Sequence, residues 1–450
     1  MEQQMKILLV YPRYPETFWS FKHALKFISK KAAFPPLGLL TVASILPPGW
    51  KTKLIDMNTD NLRDADIAWA DYVFLSAMGV QQQSVREVIR RCNRLHVKVV
   101  AGGPLFTTNY EEFEGVDHFV LGEAETLVAS LVADLERGRA QDIYCAEDKP
   151  DLQKSPGPAW NLIDIRKYAT LSIQYSRGCP YNCDFCNVVL LNGHMPRTKD
   201  TGQLIGEMEA IYRLGWRASV FIVDDNFIGN KKKLKAEVLP AIICWMRERN
   251  YPFTLFTQAP IGLSDDEELM RLIVDAGFSN IFEKQINFIQ QTGIVTAMVG
   301  LLNAPRGTRL YQRLKKEKRL LSEPSGDNTD FSVNFTPRMG HEALISGYRR
   351  ILTAIYSPSQ YYERIGTLLR EYRPVSHKRW SFKIVKLADM EAFLKSVWYL
   401  GIKEKSRRHY WRLITSTLLK RRRSFPLVIA LTIYGYHFRK LIGRYAQGLS

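Results

Sequence analysis

Arg177-Gly178-Cys179-Pro180-Tyr181-Asn182-Cys183-Asp184-Phe185-Cys186 places three of the chain's six cysteines within eight residues, spaced C-x3-C-x2-C. The stretch follows a strand-like run marked by Thr170, Leu171, Ile173 and Tyr175. A loop leaving a strand can wrap three thiolates around one metal centre. Structural zinc normally takes four protein ligands in two pairs. No second pair exists, because Cys92, Cys145 and Cys244 are single and scattered. Three cysteines suit a [4Fe–4S] cluster better, and they leave one iron open to a substrate or cofactor. A zinc loop and chance clustering are the competing readings.

Downstream of the loop, strand and helix patterns alternate. A helical stretch over 202–214 precedes the run 219–223, which ends in Asp224-Asp225-Asn226-Phe227. Then come 253–257 with Gln258, an amphipathic helix over 265–276, and strand-like runs at 280–282 and 294–302. This order predicts a parallel α/β unit, most naturally a partial (β/α) barrel over 169–340. Such barrels carry their sites at the strand C-termini, where Cys179, Asp224, Asp225, Asn226 and Gln258 fall.

Upstream, apolar runs of strand length at 6–11, 52–56, 72–76, 97–101 and 118–121 alternate with helix-length stretches such as 84–95. Continuous apolar runs imply a parallel sheet covered on both faces. Residues 1–145 therefore read as a doubly wound, Rossmann-like (flavodoxin-like) domain, and the polar, proline-bearing residues 146–168 as a linker. The loops beyond the strands carry Asp56-Met57-Asn58, Ser76-Ala77-Met78-Gly79, Gly102-Gly103-Pro104 and Gly122-Glu123-Ala124-Glu125. Ligands of such sheets bind there. An empty domain of the same fold is the alternative.

The cysteine spacing, with Phe185 directly before the last cysteine, resembles the signature of the radical S-adenosylmethionine (SAM) enzymes. Pro35-Pro36-Leu37-Gly38, Ala101-Gly102-Gly103-Pro104 and Val120-Leu121-Gly122-Glu123-Ala124-Glu125 resemble the cobalamin-binding domain that precedes the barrel in B12-dependent members. Asp224 to Asn230, the run from Phe288 through Gly300 to Pro305, Ser325 to Asp330 and Tyr356-Ser357-Pro358 are similar to the group with a shared C-terminal extension that includes the hopanoid C-2 methylases. The resemblance spans nearly the whole chain. It implies Cys179, Cys183 and Cys186 as cluster ligands, and Phe185, Asp224, Asp225, Asn226 and Gln258 as SAM contacts. It also implies a cobalamin site at Asp56, Ser76, Met78, Gly102, Gly103, Pro104, Gly122 and Glu123. The implied activity is methyl transfer to an unactivated carbon, with an electron donor such as a flavodoxin or ferredoxin. Two departures stand out. The Asp-x-His-x-x-Gly element that supplies a histidine to cobalamin is absent, and about one βα unit, roughly 30 residues, is missing after Phe282. The rival functions are a radical SAM enzyme of non-methylating outcome and a non-catalytic, membrane-associated protein with a degenerate barrel.

Lys and Arg exceed Asp and Glu by 63 to 45, a net charge of +18 concentrated toward the C-terminus. The extension over 341–450 reads as helical, basic and aromatic. Within it, 425–438 is uncharged but only fourteen residues long, too short to span a bilayer. Behind Lys420-Arg421-Arg422-Arg423, it reads equally as an interfacial membrane helix and as a buried packing helix. A small-molecule or lipid substrate fits this composition, and nucleic acid is the less favoured partner. The few, unpaired cysteines and the short apolar start point to the cytoplasm, with peripheral contact at the inner face of the membrane available to the tail.

Overall fold

The computed structural model describes residues 4–146, 148–258, 263, 266–278, 295–327, 329–371 and 387–446. Strand β1 (Lys6–Tyr11) is apolar on both faces because both are covered. Leu8 and Val10 share a core with Val85, Val88, Ile89 and Cys92 of helix α2 (Gln82–Arg94). Ile7 and Leu9 face Leu39 of α1 (Leu37–Ile45) and Leu127, Leu131 and Leu135 of α3 (Ala124–Glu136). The strands β2 (Lys51–Asp56), β3 (Tyr72–Ser76), β4 (Lys98–Gly102), β5 (His118–Leu121) and β6 (Ile143–Cys145) complete the sheet. All pairings are parallel, in the order β2-β1-β3-β4-β5-β6. This is the flavodoxin-like order, and its rim of carboxyl-end loops is where ligands of such sheets lie.

Residues 146–168 are not a free linker. Leu152 and Trp160 are buried, and the Ala159 N–H donates to the Leu40 carbonyl at 3.0 Å.

The second sheet has three described strands, β7 (Leu171–Ile173), β10 (Ser219–Ile222) and β11 (Thr254–Thr257), parallel in the order β11-β10-β7. Between them a two-residue antiparallel ladder pairs β8 (Ser176–Arg177) with β9 (Arg197–Thr198), closing the base of the cysteine loop. Helices α4 (Thr201–Arg213), α5 (Leu239–Glu248) and α6 (Glu267–Asp275) back the sheet, burying Leu204, Met208, Ile242, Met246 and Leu269. On the other face the register aligns Ser172, Phe221 and Phe256. The rings of Phe221 and Phe256 stack 4.8 Å apart, and Phe34 reaches Phe221 at 5.4 Å. The segment around Ala32 thus leaves the first domain to pair beside Tyr168. Phe278 bridges Leu255 in parallel and opens a fourth position in this sheet. The break expected after Phe282 and the run at 280–282 lie outside the described residues. The strand expected over 294–302 does not form: residues 295–302 join no sheet.

The C-terminal region comprises α7 (Arg309–Lys316), α8 (His341–Tyr356), α9 (Pro358–Glu371), α10 (Leu387–Ser396), a π-helical continuation (Val397–Lys403), α11 (Arg407–Lys420) and α12 (Phe425–Ala446). Helix α12 is the axis of this bundle. Val428, Ile429, Leu431, Ile433, Tyr436 and Phe438 are buried in it. Phe438 stacks on Phe18 at 4.4 Å, and the Tyr361 hydroxyl donates to the Leu431 carbonyl at 2.7 Å. Of the two readings of 425–438, the packing helix is the one observed. No helix among the described residues is long and apolar enough to cross a membrane.

Candidate functional site

The cysteine loop is shaped by its glycine and its return strand. Gly178 has φ +95°, and a side chain there would strike the Met195 carbonyl oxygen at 2.5 Å. The Cys179 N–H donates to the Gly193 carbonyl at 3.1 Å, and the Cys186 N–H to that of Cys183 at 3.2 Å. Burial, then Asp225 and the sibling thiols, raise the Cys186 pKa. Among the described residues no three His, Cys, Asp or Glu side chains converge to metal-binding distance. Three thiols on one short loop, with no fourth protein donor beside them among the described residues, suit the donor set of a [4Fe–4S] cluster better than that of structural zinc.

The expected SAM contacts separate on inspection. Asp224 is fully buried and accepts hydrogen bonds from the Tyr175 N–H (2.8 Å), the Ser176 N–H (2.8 Å) and the Ser176 hydroxyl (2.6 Å). Burial lifts its pKa to about 6 against those donors. Its carboxylate is thus an anchor for the turn leading to Cys179, not an open contact. Asn226 is buried with its amide nitrogen 3.9 Å from the Cys179 sulfur, and its Oδ1 has no partner. An orphaned buried acceptor beside the cluster loop is what a polar ligand would satisfy. Asp225 is exposed and accepts from the Asn192 amide at 3.0 Å. Gln258 is exposed at the end of β11, its carbonyl accepting from the Phe227 N–H at 3.2 Å. Phe185 is 51% exposed on the loop.

A cavity of about 300 Å³ lies at the carboxyl rim of the six-stranded sheet. Of the residues named for a cobalamin site, Ser76, Gly102, Gly103, Pro104, Gly122 and Glu123 line it, while Asp56 and Met78 do not. Asp56 is buried instead, accepting from the Tyr168 hydroxyl at 2.9 Å and from the backbone and side-chain nitrogens of Asn58 at 2.8 and 2.7 Å. Met78 is 44% exposed outside the cavity. Gly103, at φ +88°, is required because a Cβ would lie 2.5 Å from the Ser76 Oγ. At Gly38 and Gly122 a Cβ would meet nothing within 4 Å, so backbone faces open space there. Glycine backbone beside open space lets a ligand such as cobalamin approach the rim closely.

Sequence reasoning missed the wall that closes this cavity. Gln174, Arg177, Leu191 and Asn192 come from the barrel side. Arg177, 16% exposed, pairs with Glu123 at 2.7 Å and with Glu125 at 2.8 Å, and Glu123 also pairs with Arg197 at 2.6 Å. Burial opposes the charge on both sides of the Arg177–Glu125 pair, yet their contact holds Glu125 below and Arg177 above the ordinary pKa. The only hint in sequence was position: Arg177 immediately precedes Gly178-Cys179, and Glu123 and Glu125 flank one alanine. Asp184 inside the loop is held by Arg309 at 2.6 Å and Arg313 at 3.3 Å, both on α7.

Residues 28–132 match the B12 binding domain, and residues 308–449 match a domain of unknown function, DUF4070, which takes in α7. The chain is 35% identical to the uncharacterized methyltransferase sll1242 of Synechocystis sp., over 96% of this chain and 91% of that protein. It is 28% identical to the hopanoid C-2 methylase of Rhodopseudomonas palustris, over 92% of this chain and 90% of that one. In fold it is similar to the cobalamin-dependent SAM radical enzyme OxsB, with TM-score 0.51 at 11% identity, covering 99% of this chain and 80% of that chain. A B12-type sheet followed by a partial barrel with a three-cysteine loop defines the class, and the chain belongs to the family of B12-binding radical SAM methyltransferases. The sll1242 alignment runs over 492 positions, more than this chain's 450 residues. That relative therefore carries residues inside the matched span that have no counterpart here.

Proposed function

We propose that this chain transfers a methyl group to an unactivated carbon of a small molecule or lipid, a substrate class represented among its relatives by the hopanoid C-2 methylase. The observation that carries the reading is Arg177. One guanidinium both lines the cavity of the B12-type domain and stands two residues before the first cysteine of the loop. A reaction that uses both sites needs them at a fixed separation, and this ion-paired side chain supplies that link.

When bound, the cluster with SAM would supply a carbon-centred radical and the cobalamin a transferable methyl group; the hard chemistry is the cofactors'. Cys179, Cys183 and Cys186 would hold the iron. The chain's part is orientation and exclusion of water. Asp224 fixes the turn before Cys179, and the Asn226 amide faces its sulfur. The stacked Phe221 and Phe256, with Phe34 beside them, make an apolar inner face where a radical would be shielded. Asn192 touches both the cavity and Asp225, joining the two halves from the other side. An external donor such as a flavodoxin or ferredoxin would deliver the electrons. The unit missing after Phe282 would shorten this barrel relative to its relatives.

The test is anaerobic reconstitution with iron, sulfide and cobalamin, followed by product analysis with SAM. Methyl transfer predicts S-adenosylhomocysteine together with 5′-deoxyadenosine, and Cys183→Ala should lose the cluster absorbance and both products. Formation of 5′-deoxyadenosine alone would leave a radical enzyme of non-methylating outcome. A full iron load with no SAM cleavage would overturn the enzymatic reading.

A further inference from the structure

Helix α10 and its π-helical continuation present two apolar faces. One carries Ala392, Ser396 and Leu400, buried four residues apart. Around it Phe393 meets Phe425 at 5.4 Å and Tyr399 meets Phe27 at 5.4 Å, so this side is the bundle's own packing. The other carries Met390, Leu394, Trp398 and Ile402, again four apart, at 49, 62, 51 and 50% exposure. Residues four apart share a helix face. A solvated helix face is ordinarily polar, so a water-facing row of Met, Leu, Trp and Ile is out of place on an isolated surface.

The row continues beyond its helix. Trp411 of α11 is 39% exposed and donates its indole N–H to the Gly401 carbonyl at 2.9 Å, setting a second indole beside Ile402. Between residues 387 and 424 there are ten Lys and Arg against three Asp and Glu. Of the acids, Glu391 pairs with Lys395 at 2.7 Å and Glu404 with Lys440 at 3.6 Å. The Lys403 ammonium stands 5.1 Å over the Trp398 ring, at the margin of the row.

We propose that this face docks on an anionic lipid bilayer surface. Leu394, Trp398 and Ile402 enter the boundary between headgroups and acyl chains, while Lys403, Lys405, Arg407 and Arg408 meet the headgroup phosphates. An aliphatic and indole row rimmed by Lys and Arg is the composition of an interfacial helix, and each basic side chain near an anionic leaflet contributes roughly 1 kcal/mol. Charge argues against a second copy as the occupant, since the same basic rim would face itself. Exposed Met, Leu and Ile argue against nucleic acid, which rewards stacking rings over aliphatic groups. The inference needs neither cofactor and stands apart from methyl transfer.

The experiment is sedimentation of the full chain with vesicles of phosphatidylcholine, with and without phosphatidylglycerol. The wild type should bind the anionic vesicles and release them as salt rises. Leu394→Gln with Trp398→Gln should weaken binding at least about tenfold, given the apolar area withdrawn, without moving the thermal melting point. Lys403→Ala, Lys405→Ala and Arg407→Ala together should weaken it about a hundredfold. Wild-type protein that ignores anionic vesicles overturns the proposal, whatever the variants do. So does a row variant that binds them as well as the wild type, a self-association broken by the row variant while vesicle binding persists, or duplex DNA binding that depends on the same row.

Discussion

Between the six-stranded domain and the barrel, beside the apolar contact of Phe34 with Phe221, lies a charged seam: Arg177 pairs with Glu123 and Glu125, Arg197 pairs with Glu123, and Arg177, Glu123 and Glu125 line a cavity of about 300 Å³. Between residues 16–28 and α12 the contact is aromatic. Phe18 stacks on Phe438, Phe27 packs edge-on to Tyr436 at 5.5 Å, and the void lined by Phe18, Tyr356 and Phe438 is only about 20 Å³. Close-packed apolar contacts leave no space for a ligand and tolerate little change. Ion pairs around an open cavity do the reverse. They hold two domains in register while leaving room between them. The charged seam therefore keeps space open for a ligand, and the aromatic junction ties α12 to residues 16–28.

The comparison is broken most severely at Arg177. Arg177→Met leaves Glu123 and Glu125 facing the seam with Arg197 alone, and removal of one partner from a buried pair costs about 3–5 kcal/mol. Denaturant unfolding should show that loss. An unchanged midpoint would mean the seam contributes nothing to stability. On the aromatic side, burial depresses His437 to about 4. A base with a depressed folded pKa stabilises fully above its unfolded value and loses that stability as pH falls toward the folded one. Melting should therefore weaken from pH 6.5 to 4 by up to about 3 kcal/mol. Glu16 and His23 share this corner, so His437→Gln should flatten the profile only in part. Gly435 sits against the Tyr361 ring so closely that a Cβ would collide with it. Gly435→Ala should cost about 1–3 kcal/mol through overpacking, read as a lowered melting temperature with unaltered iron loading. The smallest effect is expected where α7 clasps the cysteine loop. Arg309 and Arg313 are more than half exposed, and their joint replacement by Ala should move global stability by less than about 1 kcal/mol. Iron in the reconstituted protein should nonetheless reach a chelator faster.

The first domain was legible because its strands are continuous apolar runs that end in small polar loops. Only β6 escaped, being three residues with Ile143 and Cys145 exposed, too short for a pattern. The cysteine loop was legible from spacing alone. What joined it to its surroundings was not, because Arg177 meets partners more than fifty residues away and nothing local marks them. Asp224 and Asp56 misled for one reason. An acid at a strand's carboxyl end reads as a ligand contact, but here each is turned into the protein to accept hydrogen bonds that its own fold leaves unsatisfied. The tail misled by composition. An uncharged stretch behind four basic residues looks interfacial until a covering is known, and the covering of 425–438 comes from residues 16–28 and from α8 to α11. The apolar row that does face water, Met390 to Ile402, was hidden among equally apolar residues that do not.

The stacking of Phe18 on Phe438 has a consequence for how the chain is made. Roughly 400 residues separate residues 16–28 from α12, so at about 5–20 residues per second the first segment waits on the order of tens of seconds for its covering. The sheet of the first domain can assemble in that interval, since its strands are all in hand. Phe18, Phe21 and Phe27 cannot be buried, because the side chains they pack against have not been synthesised. A ribosome that stalls or stops before α12 releases a protein with a formed cofactor domain and a bare aromatic strip, a species whose fate is set by chaperones and proteases rather than by the fold.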